Sequence, residues 1–292
     1  MAAFLNALEA SPTFLLISLV VLGLVVGSFL NVVILRLPRM MEQAWREEAR
    51  SILELPAPEK TEPRVTLAKP ASHCPGCQHR IRWYENVPVI SWLVLRGRCS
   101  QCGMAISVRY PVIELAAALV AAMAAWQLGF GGWMFAVVLA SWVLLALTMI
   151  DFDTTLLPDS MTYPLLWAGL LLALAGVSPV SLEDAVIGAV AGYMVLWTLY
   201  WSFKLLTGKE GMGYGDFKLL GALGAWVGWQ LLPMVILLSS LVGAVVGGLL
   251  LATGVVKRDQ GIPFGPYLAG AGWITLLWGV QLSDLWLNMF RL

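Results

Sequence analysis

The sequence predicts an all-α polytopic membrane protein with about eight transmembrane helices and a small polar insertion between the first two. The chain is 59% hydrophobic and only 12% charged, whereas a soluble domain carries about 25% charged residues. Its apolar residues fall in uncharged blocks long enough for the roughly 20 residues that cross a bilayer. Most basic residues and all four cysteines lie in one polar segment.

The uncharged blocks set the predicted spans. Residues 10–35 give the first; we expect it to be retained rather than cleaved as a secretory signal, since 26 uncharged residues exceed a signal core and no basic residue precedes them. The other seven spans come from 115–150, divided at 129–132; from 160–182 and 185–203; from 219–256, divided near Pro233; and from 260–283.

Lys and Arg collect in cytoplasmic loops, and twelve of the 18 lie between Arg36 and Arg109. We therefore expect this loop inside and the amino terminus outside. Eight crossings also place inside Lys204, Lys209, Lys218, Lys257 and Arg258, and leave Arg291 as the exception. The predicted domains are a first transmembrane helix (10–36), a cytoplasmic loop (37–110) and a seven-helix membrane domain (111–288).

The loop begins with an amphipathic pattern at residues 42–48, which predicts a short surface helix. Prolines then indicate a linker: Pro56, Pro58, Pro63 and Pro70. Two Cys-x-x-Cys pairs follow, separated by 21 residues: Cys74 and Cys77, then Cys99 and Cys102. This spacing predicts a closed, structural Zn²⁺ site of zinc-ribbon type. The alternatives are a redox dithiol or unliganded thiols.

Other residues near the cysteines have simpler interpretations. His73 and His79 flank the first pair and could replace a thiolate, but with four cysteines present we expect them to be bystanders. Basic side chains nearby could suggest nucleic-acid binding: Arg80, Arg82, Arg96 and Arg98. The inward bias of basic residues already explains a basic cytoplasmic loop, and anionic lipid headgroups lie nearby. We predict the bilayer, and no nucleic acid, as a partner.

Two aspartates end or begin hydrophobic stretches, Asp151 and Asp216. A carboxylate at membrane depth costs roughly 2.5 to 3.5 kcal/mol or more and is usually functional. Two complete crossings separate them, so both lie at the same, cytoplasmic edge. Asp153 and Asp159 compete for the role. Asp159 is placed to cap the fourth span, and Asp153 falls on another helix face from Asp151.

The residues around the second aspartate leave alternatives open. Gly213 and Gly215 form either a plain loop before a helix or a backbone that lets a substrate approach closely. Lys218 is a membrane-edge anchor or a catalytic group. The stretch 263–266 is a broken helix start beside a wet cavity or a simple helix entry. Close helix packing is expected at Gly224, Gly228, Gly243 and Gly247.

These residues, taken together, resemble one family, the type IV prepilin peptidases. The matching stretches, in order, are Gly27-Ser28-Phe29-Leu30-Asn31 with Arg36-Leu37-Pro38; the two cysteine pairs; Leu95-Arg96-Gly97-Arg98; Arg109-Tyr110-Pro111 with Glu114; Asp151 with Leu157-Pro158-Asp159; Gly213-x-Gly215-Asp216; and Pro263-Phe264-Gly265-Pro266-Tyr267. The resemblance covers nearly the whole chain.

The resemblance implies a bifunctional enzyme of the bacterial inner membrane. Asp151 and Asp216 would be the catalytic pair of an aspartic endopeptidase that removes the short basic leader of prepilins or pseudopilins after a glycine. The same protein would methylate the new amino terminus with S-adenosylmethionine. No nucleotide-binding glycine motif places that cofactor, and Glu114 is a candidate participant by location alone.

A transporter is the alternative function. Carboxylates at span ends also occur in cation- or proton-coupled transporters. Such a protein is expected to carry ionisable groups near the membrane midplane, and the uncharged runs of this sequence contain none.

Overall fold

The computed structural model describes residues 2–56, 63–254 and 261–290, and these ranges are almost entirely helical. Their β pairing consists of two isolated bridges, His73 with Arg80 and Arg98 with Ala105. The all-α fold class is confirmed. Several residues used in the topology argument lie outside the described ranges: Pro58, Lys257, Arg258, Gln260 and Arg291.

Ten α-helices occur in the described ranges: α1 Ala2–Ala10, α2 Pro12–Ile52, α3 Ile90–Val94, α4 Arg109–Leu128, α5 Gly132–Thr154, α6 Asp159–Leu174, α7 Leu182–Thr207, α8 Tyr214–Val227, α9 Leu232–Ala252 and α10 Gly265–Phe290. Short 3₁₀ turns occur at Trp83–Asn86 and Trp229–Leu231. Helix α2 and the seven helices α4 to α10 coincide in order with the eight predicted spans.

Five helical segments in the described ranges are long and apolar enough to cross a membrane: α2, α4, α5, α7, and α9 with the 3₁₀ turn before it. The polytopic character is thereby confirmed. Helices α6 and α8 have 16 and 14 residues, fewer than the roughly 20 that a perpendicular crossing needs. The count of eight spans therefore stays a prediction.

Helix α2 differs from its predicted form. The expected break after the first span is absent, and one helix of 41 residues runs through Pro38 and includes the amphipathic stretch 42–48. A proline removes one backbone hydrogen bond and can be accommodated in a long helix with a bend. The residues that follow are strong helix formers such as Met, Glu, Gln, Ala and Arg, so the helix continues.

The chain divides into two compact units, residues 1–126 and 127–292. In the first unit, glycines bring α2 and α4 into close contact. A Cβ added to Gly27 would lie 2.6 Å from the Cα of Glu114, and one added to Gly23 would lie 2.6 Å from the Cα of Ala118. The Asn31 amide, predicted to be a packing or hydrogen-bonding group, donates to the carbonyls of Gly27 and Tyr110, each at 3.2 Å.

In the second unit, α7 and α8 pack backbone to backbone. Gly188 and Gly224 face one another with no room for a Cβ on either, and a Cβ on Gly192 would lie 2.5 Å from the carbonyl oxygen of Leu220. The packing role predicted for Gly224 is confirmed. Gly228 has the additional role of ending α8, with a φ of 76°. Such a positive φ favours glycine.

Gly243 and Gly247 lie on α9, next to the segment that leads into α10. A Cβ on Gly243 would lie 3.3 Å from the Tyr267 ring, and one on Gly247 would lie 3.5 Å from the Ile262 side chain. These glycines therefore face side chains rather than backbone, and the contact is less tight than that between α7 and α8.

Candidate active site and cysteine cluster

The second unit brings together the two aspartates singled out from the sequence. Asp151 lies in the last turn of α5 and Asp216 in the first turn of α8. Their exposed fractions are only 4% and 6%, and they are near enough for the charge of Asp151 to act on Asp216. Two carboxylates in this arrangement can share one proton and act as an acid and base pair.

Asp151 is held by the beginning of α10. The backbone N–H of Gly265, the first residue of that helix, donates to Asp151 Oδ2 at 3.0 Å. A Cβ at this position would lie 2.6 Å from the same oxygen, so the contact requires glycine. Helix α10 begins within the stretch 263–266, and the wet cavity beside it stays a prediction. The sequence indicated this stretch as a possible part of the site but did not predict its hydrogen bond to Asp151.

Asp216 is held by the loop and helix start that carry it. Gly213 is the N-cap of α8, its carbonyl accepts the Asp216 N–H at 3.3 Å, and its own N–H interacts with the Asp216 carboxylate. Gly215 packs against Leu157, whose Cβ would be 2.8 Å from an added Cβ. Leu157 also borders Gly265, at 3.2 Å from a Cβ there. These contacts support loop and packing roles for both glycines.

The competing carboxylates lie elsewhere. Asp153 is exposed while Asp151 is buried, which confirms that they occupy different faces of α5. The predicted capping role of Asp159 is wrong: Pro158 is the N-cap of α6. The Asp159 carboxylate instead binds the Lys218 ammonium at 2.7 and 2.8 Å. The Asp159 carboxylate thus binds the Lys218 ammonium and does not cap the backbone N–H groups of α6. This ion pair joins α8 to the start of α6.

A second ion pair ties the loop that leads into α8. Lys204 Nζ, near the end of α7, lies 2.8 Å from Glu210 Oε1 and 3.2 Å from Tyr200 Oη. The Lys204 ammonium holds the pKa of the Glu210 carboxyl below its usual range. The buried Tyr200 ring also stacks with Tyr214 and Phe217 at centroid distances of 5.2 and 5.6 Å. Contacts with α7 therefore hold the loop before α8 at its middle, through Glu210, and at its end, through Tyr214.

The four cysteines form one cluster in the first unit. All are free thiols, and their sulfur atoms lie within 4.8 Å of one another. The Sγ distances are 3.7 Å from Cys74 to Cys102 and 3.9 Å from Cys77 to Cys99. Sulfurs bound tetrahedrally to zinc at about 2.3 Å are about 3.8 Å apart. The donor set fits Zn²⁺.

The two cysteine pairs have the same backbone form. The Cys74 N–H donates to the carbonyl of His79 at 2.9 Å, and the Cys99 N–H donates to that of Met104 at 2.8 Å. The residue four positions after the first cysteine has a positive φ in each, 60° at Gln78 and 72° at Gly103. Each pair is thus a tight knuckle that presents two thiols to the same point.

The nearby histidines hydrogen-bond away from the cysteines. His73 Nδ1 lies 3.0 Å from a backbone carbonyl, and His79 Nε2 lies 3.1 Å from Glu85 Oε2. These bonds support the bystander prediction, since the clustered ligand atoms of the described residues are the four thiols. Hydrogen bonds from the Arg82 N–H and the Ser100 hydroxyl hold the pKa of Glu85 at about 2. Glu85 thereby connects the two knuckles.

Glu114, a candidate for methyl transfer by location, has a local structural partner. Its carboxylate is buried, with 7% exposed. Glu114 Oε2 accepts the backbone N–H of Val89 at 2.7 Å, and the Ser28 hydroxyl is its other partner. The side chain therefore holds the segment around Val89 against α4.

The helices and the buried carboxylates define a class: polytopic membrane proteins that carry an aspartate pair. Comparison with known proteins narrows this class. Residues 21–128 match the bacterial peptidase A24 N-terminal domain, which here contains the cysteine cluster, and residues 138–248 match the type IV leader peptidase family, which here contains both aspartates. The chain belongs to the type IV leader peptidase family.

Several relatives share the name prepilin leader peptidase/N-methyltransferase. The protein of Stutzerimonas stutzeri is 55% identical over 98% of both chains, and that of Pseudomonas aeruginosa is 52% identical over 97% of both. The protein of Aeromonas hydrophila is 55% identical over 99% of this chain and all of its own. No solved structure matches the chain.

The Lys204–Glu210 ion pair gives a first prediction. Lys204→Met keeps the aliphatic stem but removes the charge, so amide hydrogen exchange in residues 208–214 should rise by about two- to five-fold, as expected for a partly exposed pair. Lys209→Met, a matched change in the same loop, should leave exchange unchanged. Equal exchange in both variants would show that the ion pair does not fasten the loop.

Proposed function

We propose that this protein is an aspartic endopeptidase of the bacterial inner membrane that removes the short basic leader of type IV prepilins or pseudopilins after a glycine. It then methylates the new amino terminus with S-adenosylmethionine. The proposed peptidase activity is supported by the buried pair of Asp151, in the last turn of α5, and Asp216, in the first turn of α8. The shared name of the relatives supports this function and not a transporter.

The pair would act on a water molecule at the scissile bond. The ionised carboxylate takes a proton from water as the water oxygen bonds to the carbonyl carbon of the glycine that ends the leader. The protonated carboxylate hydrogen-bonds the carbonyl oxygen and stabilises its developing charge. A proton then passes to the leaving nitrogen, the C–N bond breaks, and the products are a leader carboxylate and a free amino terminus.

The surrounding backbone supports this chemistry. Asp216 lies in the first turn of α8, and the donor to Asp151 is the first N–H of α10. The amino-terminal end of a helix carries a partial positive charge. Two helix starts therefore stabilise the one negative charge that the pair needs, and no cationic side chain has to enter the site to do so.

The substrate fits the membrane position of the site. A basic leader followed by a hydrophobic helix would place its junction at the cytoplasmic edge, which is the edge that we propose for both aspartates from the distribution of Lys and Arg. Cleavage there requires an unwound backbone, because a regular helix hides its carbonyls in hydrogen bonds.

The cysteine cluster would hold a structural Zn²⁺ through all four of its thiolates. With four protein ligands the site has no open position for water or substrate. We therefore give zinc the role of joining the two knuckles and no step in hydrolysis.

The contacts of the described residues do not place a site for the methyl donor. S-adenosylmethionine needs a pocket with several polar groups that fix its orientation. The buried polar residues of the first unit, Asn31 and Glu114, are engaged with backbone groups of the chain.

The aspartate pair gives the central prediction. Asp151→Asn or Asp216→Asn removes the acid or base and should lower the rate of prepilin cleavage by at least about a thousand-fold. Asp153→Asn, two residues away and exposed, is the matched control and should cleave at close to the wild-type rate. The measurement is the mobility shift of a purified prepilin incubated with each variant in detergent. Normal processing by both pair variants would remove the peptidase hypothesis.

The Gly265 contact gives a sharper geometric prediction. Gly265→Ala inserts a methyl group against Asp151 Oδ2 and should reduce kcat for cleavage by about ten- to a hundred-fold, because a displacement of about 1 Å is enough for such a loss. Gly270→Ala, in the same helix, adds its methyl group in open space and should change kcat by less than about two-fold. If both alanines behave alike, the Gly265 N–H does not position Asp151.

Zinc is tested by metal analysis. Purified protein should contain about one equivalent of zinc per chain, since four thiolates saturate one ion. Cys77→Ser should lower this content and its resistance to a chelator, whereas His73→Ala should leave both unchanged. A metal-free protein with disulfides or free thiols at these positions would contradict the assignment.

A further inference from the structure

Helix α3 turns apolar side chains outward. Ile90, Leu93 and Val94 are exposed by 60%, 60% and 74%, although this five-residue helix belongs to the polar segment that the sequence assigns to the cytoplasmic loop. Clustered exposed apolar side chains mark a surface that meets a partner or a membrane. The depth of α3 relative to the spans distinguishes these cases.

Helix α4 gives one measure of that depth. The N–H of Val89, the residue before α3, donates to Glu114 Oε2 at 2.7 Å. Glu114 lies five residues inside α4, a candidate span that begins at Arg109. At 1.5 Å per residue, Val89 is attached about 7.5 Å along the helix from its first residue.

Helix α2 gives a second, separate measure. The Cα of Glu114 lies against Gly27, where an added Cβ would be 2.6 Å away. Gly27 precedes Arg36, the first charged residue after the uncharged run, by nine residues. That interval corresponds to about 13 Å of helix. Both distances therefore place Val89 deeper in the membrane than the charged residue from which each is counted, Arg109 in α4 and Arg36 in α2.

The residues beside α3 match a membrane interface. Arg82 and Arg96 flank the apolar stretch, and Glu85 is the one charge between them. Trp83 and Tyr84 are exposed by 83% and 47%. Aromatic side chains are enriched at the level of the headgroups, and basic side chains near the surface are attracted to anionic lipids.

We propose that residues 83–96 form an interfacial segment whose short helix α3 inserts Ile90, Leu93 and Val94 among the lipid chains, on the same side of the membrane as the cysteine cluster. Interfacial helices bury their apolar face by about 5–10 Å; the first measure, about 7.5 Å, falls in this range, and the second, about 13 Å, is deeper. The segment requires that the chain spans the bilayer and does not depend on the peptidase activity.

Photocrosslinking of the full chain tests this placement. A diazirine amino acid is encoded at Leu93 or, in a second protein, at Val94, and each is reconstituted in vesicles of phosphatidylethanolamine and phosphatidylglycerol. Position 22 in α2, where Leu22 is 47% exposed, is the lipid-facing control. Position 101, where Gln101 is exposed on the second knuckle, is the water-facing control. Thermal unfolding in the vesicles verifies that each protein is folded.

Illumination should give lipid adducts at positions 93 and 94 in yields similar to position 22 and several-fold above position 101, as measured by mass spectrometry. Yields at both positions as low as at position 101 would overturn the proposal. Adducts with an added prepilin in place of lipid would also overturn it and would identify the apolar face as a substrate surface.

Discussion

Two carboxylates buried in an apolar helical unit are the constraint on which this structure depends. A buried charge is tolerated only when other groups replace the water that it loses. Here backbone groups supply part of the replacement: the Gly265 N–H reaches Asp151, and Gly213 reaches Asp216. The absence of a side chain at Gly265 lets the start of α10 come this close. The position of the aspartate pair therefore rests on backbone contacts.

The position of Asp216 is fixed from two directions. On one side, Lys204 and Glu210 fasten the loop before α8. On the other, Lys218 on α8 binds Asp159 at the start of α6. Each ion pair is exposed and contributes little stability alone. Together they restrain the chain before and after Asp216, in addition to the close packing of α7 with α8. The segment that carries Asp216 is thereby restrained on both of its sides.

The sequence predicted features that depend on pattern and missed those that depend on tertiary contact. Uncharged runs located the helices, and cysteine spacing located the thiol cluster, because both are local properties. The contact between Asp151 and Gly265 joins residues 114 positions apart, and no local pattern encodes it. The capping role given to Asp159 failed for the same reason, since Lys218 comes from a distant helix. Helix α2 continues through Pro38 because the strong helix formers that follow outweigh the one backbone hydrogen bond that the proline removes.

Leu157 occupies the space between two glycines of the site. A methyl group at Gly215 would meet the Leu157 Cβ at 2.8 Å, whereas one at Gly265 would meet Asp151 Oδ2 at 2.6 Å and the Leu157 side chain only at 3.2 Å. The three positions form one sterically linked set. In evolution, a larger residue at position 215 is accessible only together with a smaller one at position 157, so changes at these two sites should accumulate as compensating pairs, whereas a larger residue at position 265 is opposed by the Asp151 carboxylate as well.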